Sequence, residues 1–161
     1  MTMRFRRLSA VLLAFAFAGS LQAQVPSSAA QAGARLEPTT QSAAARTAYF
    51  DAVFEQQNAT PERALARAKA AVAADPSFAL ARAYEAFLSS AAADARDRAI
   101  SAVLAEMGPV SVPEMLLILQ LREAAAGRTQ NSTELLRMAT ELLPGDVNLA
   151  YQYLRSEEHT S

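Results

Sequence analysis

Chemistry has few places to reside in this chain. Its 161 residues include one histidine, His159, one lysine, Lys69, and no cysteine, which removes thiolate nucleophiles, disulfides and cysteine-ligated metals together. General acid–base work would fall to paired carboxylates, of which Asp94 with Asp97 and Glu114 with Glu123 are near enough in sequence to share a helix. Such pairs are far more often a solvated face or a helix-start charge. Ala66 stands three residues before Lys69, so no Ser-x-x-Lys pair exists, and the five glycines form neither a Gly-x-Ser-x-Gly elbow nor a phosphate loop. We expect no catalytic residue, no metal and no cofactor. Recognition demands less, since polar or aromatic groups on a shared helical face suffice, and Tyr49, Glu55, Arg82, Glu85, Gln120 and Arg122 are the candidates. Arg82 and Arg122 could hold peptide carboxylates bidentately. Tyr49 also falls on an apolar stripe and is expected in the core.

The elements that must carry these residues are helices. Between Gln24 and Gln41, Pro, Ser, Gly, Gln and Thr interleave without an apolar period, which reads as a flexible linker over 24–41. From Ser42 onward alanine, leucine and long polar residues predominate, and no alternation of β-branched and polar residues occurs. Pro76, Pro109 and Pro144 stand 33 and 35 residues apart, each after one helical run and before another. Proline cannot continue a helix interior but suits a helix start, so each marks a corner between helices. A second break divides each interval, at Asn58–Pro61, Ala91–Asp94 and Gly127–Asn131. Each interval is therefore a helical hairpin.

A helix-turn-helix unit repeating every 34 residues or so has the period of the tetratricopeptide repeat, and the residues resemble that family. With Pro76 at the family's proline, Ala52, Ala64 and Ala71 fall on its three small-residue positions, and AKAAVAADPSFALARAYEAF resembles its run from second helix into the next repeat. The second repeat keeps Ala86, but DARDRAISAVLAEMG is one residue short of the family spacing. The third, from Pro113 to Pro144, keeps Ala139 and Pro144 but carries Gln120 where a small residue is usual and Ser132 where alanine is usual. The resemblance spans residues 45–154 and implies an all-α, right-handed α-solenoid of about three repeats. It also implies small side chains that let helices approach closely, and a concave groove lined by the first helix of each repeat. We place the repeats at 42–154.

Helical periodicity agrees with that architecture. Ala45, Tyr49, Ala52 and Val53 form one stripe with Phe50 and Phe54 beside it, and Met115–Leu119 is apolar nearly all round, as for a helix covered on both sides. Leu135, Leu136, Met138, Ala139 and Leu142 supply its partner. Thr60 before Pro61, and Ser132 or Thr133 before Glu134, are the expected caps. Asn131-Ser132-Thr133 also matches a glycosylation acceptor, but a helix cap is the simpler reading.

The ends concern destination rather than fold. Arg4, Arg6 and Arg7 precede an uncharged apolar run, Leu8–Ala18, about half the length of a membrane span, which is the layout of a signal peptide. We place cleavage after Ala23, giving a signal peptide over 1–23, export to the periplasm or beyond, and no stable membrane anchor after cleavage. Removing those three arginines leaves twelve basic against sixteen acidic residues, with no basic face for nucleic acid. Fourteen arginines to one lysine, with abundant alanine, point to a bacterial source. Residues 155–161, Arg-Ser-Glu-Glu-His-Thr-Ser, break the helical pattern and resemble a translated sequencing adapter, so we read them as a non-native tail. The expected function is a protein- or peptide-binding scaffold. The alternatives are the N-terminal accessory of a longer enzyme cut near Leu154, or a self-assembling solenoid whose open end at the Tyr151 helix stacks on a copy of itself.

Overall fold

The computed structural model describes residues 33–89 and 92–158. The signal segment, residues 24–32 of the linker and His159 lie outside the described residues. Within them the chain forms seven α-helices and no strand: α1 (Ala43–Gln57), α2 (Pro61–Ala74), α3 (Ala79–Ser89), α4 (Ala93–Glu106), α5 (Val112–Ala125), α6 (Thr129–Leu142) and α7 (Val147–Glu158). Each helix packs on the next, and α3 also packs on α5, so the molecule is a helical-repeat solenoid of three hairpins followed by a seventh helix. No described helix is long and apolar enough to cross a membrane.

The three proline corners share their spacing but not their backbone: Phe78 N donates to Asp75 O at the first and Asp146 N to Leu143 O at the third, whereas the second crosses Met107–Ser111 without a turn. Ala79, Val112 and Val147, the first residues of α3, α5 and α7, each follow their proline by three positions. Polar side chains close the orphan amides at the corner ends. Ser42 Oγ accepts from Ala45 N at 3.1 Å, Ser111 and Glu114 form a capping box, and Asp146 Oδ1 accepts from Asn148 N and Leu149 N at 3.1 Å each.

The two caps expected from sequence fall elsewhere. Thr60 precedes α2, but its hydroxyl donates to Glu55 O at 2.7 Å and Glu55 Oε2 at 2.6 Å, tying down the end of α1. Helix α6 begins at Thr129, which places Ser132 inside it. The cause is Gly127, whose φ of 72° ends α5 in a tight turn, with Gly127 N donating to Ala124 O and Arg128 N to Glu123 O. Of the tail, residues 155–158 continue α7 unbroken to Glu158, a stretch with no proline or glycine to stop it, and 159–161 lie outside the described residues.

The small residues sit inside the fold. Ala52, Ala64, Ala71 and Ala139 are fully buried, and Ala86 is half-buried; Ala64, Ala68 and Ala71 form an i, i+4, i+7 stripe along α2. Tyr49 is buried at the hub of an aromatic cluster, edge-on to Phe50, Phe78 and Tyr84 with ring centroids 5.4, 5.5 and 5.7 Å away. Those rings join α1 to α3 across the first corner. In α5, Leu116, Leu117 and Ile118 are buried and Met115 and Leu119 half-buried. Its partner α6 buries Leu136 and Ala139 but leaves Met138 and Leu142 exposed, and Phe54 of α1 is exposed as well.

The linker does not remain free over its described part. Residues 34–40 run without helix along the corners, with Leu36, Pro38 and Thr40 buried and Arg35, Glu37 and Thr39 exposed in strict alternation, and bend at Thr39, where Thr40 N donates back to Pro38 O at 2.8 Å. Leu36 N donates to Asp146 Oδ2 at 3.0 Å, Thr39 Oγ1 to Glu114 Oε2, and Thr40 Oγ1 to Asp75 Oδ2 at 2.5 Å.

Candidate functional site

A groove of about 690 Å³ opens along the first helices of the hairpins. Val53, Gln56 and Gln57 of α1 form one wall, Tyr84 and Phe87 of α3 with Gln120 of α5 the middle, and Tyr151, Gln152 and Arg155 of α7 the other wall. Among the described residues no carboxylate lines it. Arg155 is the one charged residue among the described ones that line it, and lies over the Tyr151 ring, 6.0 Å from the centroid. The Gln57 Nε2 is buried without an acceptor, an amide donor held ready on one wall. A groove of glutamine amides and aromatic rings can bond to peptide backbone and cover apolar side chains without selecting for charge.

Of the four residues expected to bind a partner, one lies in this groove. Gln120 lines it, and its Nε2 donates to Ser132 Oγ on α6 at 2.9 Å. Arg82 pairs with Glu106 at 2.7 Å and Arg122 with Asp97 at 3.1 Å, so both guanidiniums are directed to α4. The helical register explains this. Arg82 is three positions into α3 and Arg122 ten into α5, a difference of seven, so both sit on the stripe that meets α4. Glu85 is half-buried on α3 and does not line the groove. Among the weaker candidates, Glu55 is held by Thr60 and by Arg63 at 3.4 Å, and Tyr49 lies in the core. Burial holds the Tyr49 and Tyr84 hydroxyls well above the usual phenol range, and the proximity of the two phenols to each other adds to the rise at Tyr49.

Sequence reasoning missed Gln56, Gln57, Phe87, Tyr151 and Gln152. A signal was present: Phe87, Gln120 and Arg155 are each eight positions past the first residue of their helix, so the register of Gln120 alone locates the other two.

Carboxylate pairs do not converge on any reacting centre. Glu114 is fully buried at the start of α5, where Oε2 accepts from Ser111 N, Ser111 Oγ and Thr39 Oγ1 and Oε1 is buried without a donor. Glu123 lies nine residues on, roughly 13 Å along the helix. Its carboxyl is drawn down to about 2, first by the hydrogen bond from Arg128 and then by that from Asn131, at 2.6 and 2.9 Å. Asp97 is engaged by Arg122, while Asp94 is in the first turn of α4. A larger cleft between α6 and α7 is lined by Glu134, Arg137, Tyr153 and Glu157, but these groups bind one another: Arg137 to Glu134 at 2.7 Å and to Glu141, and Tyr153 Oη to Glu157 at 2.5 Å. That cleft touches one hairpin and the last helix, whereas the groove spans every repeat. Set beside protein-family models, curated proteins and solved structures, the chain matches none of them.

Proposed function

We propose that this chain is a binding module of the tetratricopeptide type, exported from a bacterial cell to the periplasm or beyond, that holds a protein or peptide segment in the groove along α1, α3, α5 and α7. The observation that carries the reading is the groove's lining, in which four glutamines and three aromatic rings from four separate helices converge without a carboxylate. A structural solenoid has no need to bring uncharged hydrogen-bonding groups from every repeat to one surface, whereas a recognition surface does. Arg82 and Arg122 are paired with carboxylates of α4 rather than turned to the groove, which leaves the glutamine amides, apolar contact and Arg155 as the groove's means of binding.

A photo-crosslinking amino acid placed at Gln56 or Gln152, compared with one at exposed Lys69 on the outer face of α2, tests this in cells expressing the full chain. Crosslinks to a discrete partner from the groove positions alone are expected. Equal yields from Lys69, or none from the groove, would sink the reading.

A second reading rests on α7. Val147, Tyr151 and Leu154 are 76, 45 and 60% exposed at i, i+4 and i+7. Leu149 on the opposite side is buried. A helix apolar on two sides is suited to the inside of a stack, so a copy of the chain is the alternative occupant. Light scattering that finds a monomer at high concentration removes this alternative.

A further inference from the structure

Residues 33–40 touch all three corners. Gly145 N donates to Ala34 O at 2.9 Å and Asp146 holds Leu36 N, both beside the start of α7. Glu114 then holds Thr39 at the second corner, and Asp75 holds Thr40 at the first. At that point the chain turns into α1, with Ser42 N donating to Thr40 Oγ1 at 3.1 Å and Arg46 Nη2 to Thr40 O at 2.9 Å. The six residue steps from Ala34 to Thr40 reach at most roughly 20 Å, shortened by the bend at Thr39. The segment is therefore a chord that fastens the beginning of α7 to the beginning of α1. Those two helices are the opposite walls of the groove, and they share no extensive packing of their own. A stack whose units pack mainly on their neighbours bends easily unless its ends are tied.

We infer that residues Gly33–Thr40 are a strap that sets the width of the groove: seated on the corners it holds α1 and α7 at one separation, and lifted off it lets them part. The corner row is thus a binding site for a non-helical segment, filled by the chain itself. Its bearing on partner binding rests on the groove reading above, but its geometry does not.

Gly145 provides the means of lifting it. A Cβ at Gly145 would lie 2.7 Å from the Gly33 carbonyl carbon and 2.8 and 2.9 Å from the oxygens of Gly33 and Ala34, all backbone atoms that cannot rotate away. The absence of cysteine lets Gln56→Cys and Gln152→Cys carry a single pair of spin labels across the groove. In the otherwise unaltered full chain, the label distance should be one narrow distribution. With Gly145→Val it should broaden and lengthen by several ångströms, and tryptic cleavage after Arg35 should accelerate at least tenfold. Leu36→Asp, which lies outside every helix, puts a charge on a buried strap position and should do the same. An unchanged distance when Arg35 cleavage has accelerated would overturn the proposal, as would unaltered cleavage in both variants or loss of helical circular dichroism in Leu36→Asp. No partner is present in these measurements, so they stand or fall separately from the crosslinking.

Discussion

The first and third hairpins solve the same packing problem with different residues. In α1–α2 the helices approach on alanine: Ala52, Ala64, Ala68 and Ala71 are all fully buried. In α5–α6 the places of two small residues are taken by Gln120 and Ser132, and these bond to each other at 2.9 Å. Their turns repeat the contrast. Both are closed by the same pair of backbone bonds, Ala59 N to Gln56 O and Thr60 N to Glu55 O in the first, Gly127 N to Ala124 O and Arg128 N to Glu123 O in the third. The left-handed position is Ala59 in one, at φ 55°, and Gly127 in the other, at φ 72°. The first hairpin therefore has well-fitted faces and a strained turn, the third a relaxed turn and a polar bridge between its faces. A repeat fold needs closeness at one place and a reversal at another, and neither demands a fixed residue.

The largest expected effect lies in the first hairpin. Tyr49→Ala removes the ring that meets Phe50, Phe78 and Tyr84, and should cost about 3–5 kcal/mol in urea unfolding, as for other large aromatic-to-alanine changes in a core. A loss below about 1 kcal/mol would mean that α1 is not held to α3 through this cluster. The turns should then respond in opposite directions. Gly127→Ala forces a side chain into left-handed backbone and should destabilise by about 1 kcal/mol, while Ala59→Gly relieves that same strain and should stabilise by about 0.5–1 kcal/mol. Equal signs for the two changes would break the comparison.

Much of this architecture was legible before any coordinates. The spacing of Pro76, Pro109 and Pro144 located the corners because proline's missing amide makes a local statement that packing does not override. The small positions Ala52, Ala64, Ala71 and Ala139 were legible for the same reason, since only a short side chain fits where backbones meet. The groove was less so. Arg82 and Arg122 looked free because their partners, Glu106 and Asp97, are on another helix, 24 and 25 residues away, and no local pattern announces such pairs. The strap was hidden in a stretch whose Pro, Thr and Gly make it look like a linker. Its alternation of Leu36, Pro38 and Thr40 covers too few residues to stand out from chance, and its acceptors are the distant Asp75, Glu114 and Asp146.

The polar bridge of the third hairpin admits a finer test. Gln120→Ala, Ser132→Ala and the double change form a cycle whose coupling should be about 0.5–1.5 kcal/mol, because each single change leaves the other group half-satisfied between helices. Additive single effects would show that the two residues occupy their sites independently, and that the third hairpin tolerates its larger side chains by spacing alone.

Acid should act most gently, and on the third hairpin's turn. The Arg128 and Asn131 hydrogen bonds hold Glu123 at about 2 in the folded chain, down from 4.5. A carboxyl depressed on folding contributes stability that is fully present above its unfolded value and is lost as pH falls through the folded one, so the window is roughly pH 4.5 down to 2. Because the pair lies near the surface and is screened, its share is about 1 kcal/mol or less. Urea unfolding of the wild-type chain and of Glu123→Gln should differ by that amount at pH 6 and converge near pH 2. A difference that persists at pH 2 would assign the effect to shape rather than charge, and the closing of α5 onto α6 would then rest on Gly127 and the backbone bonds of the turn.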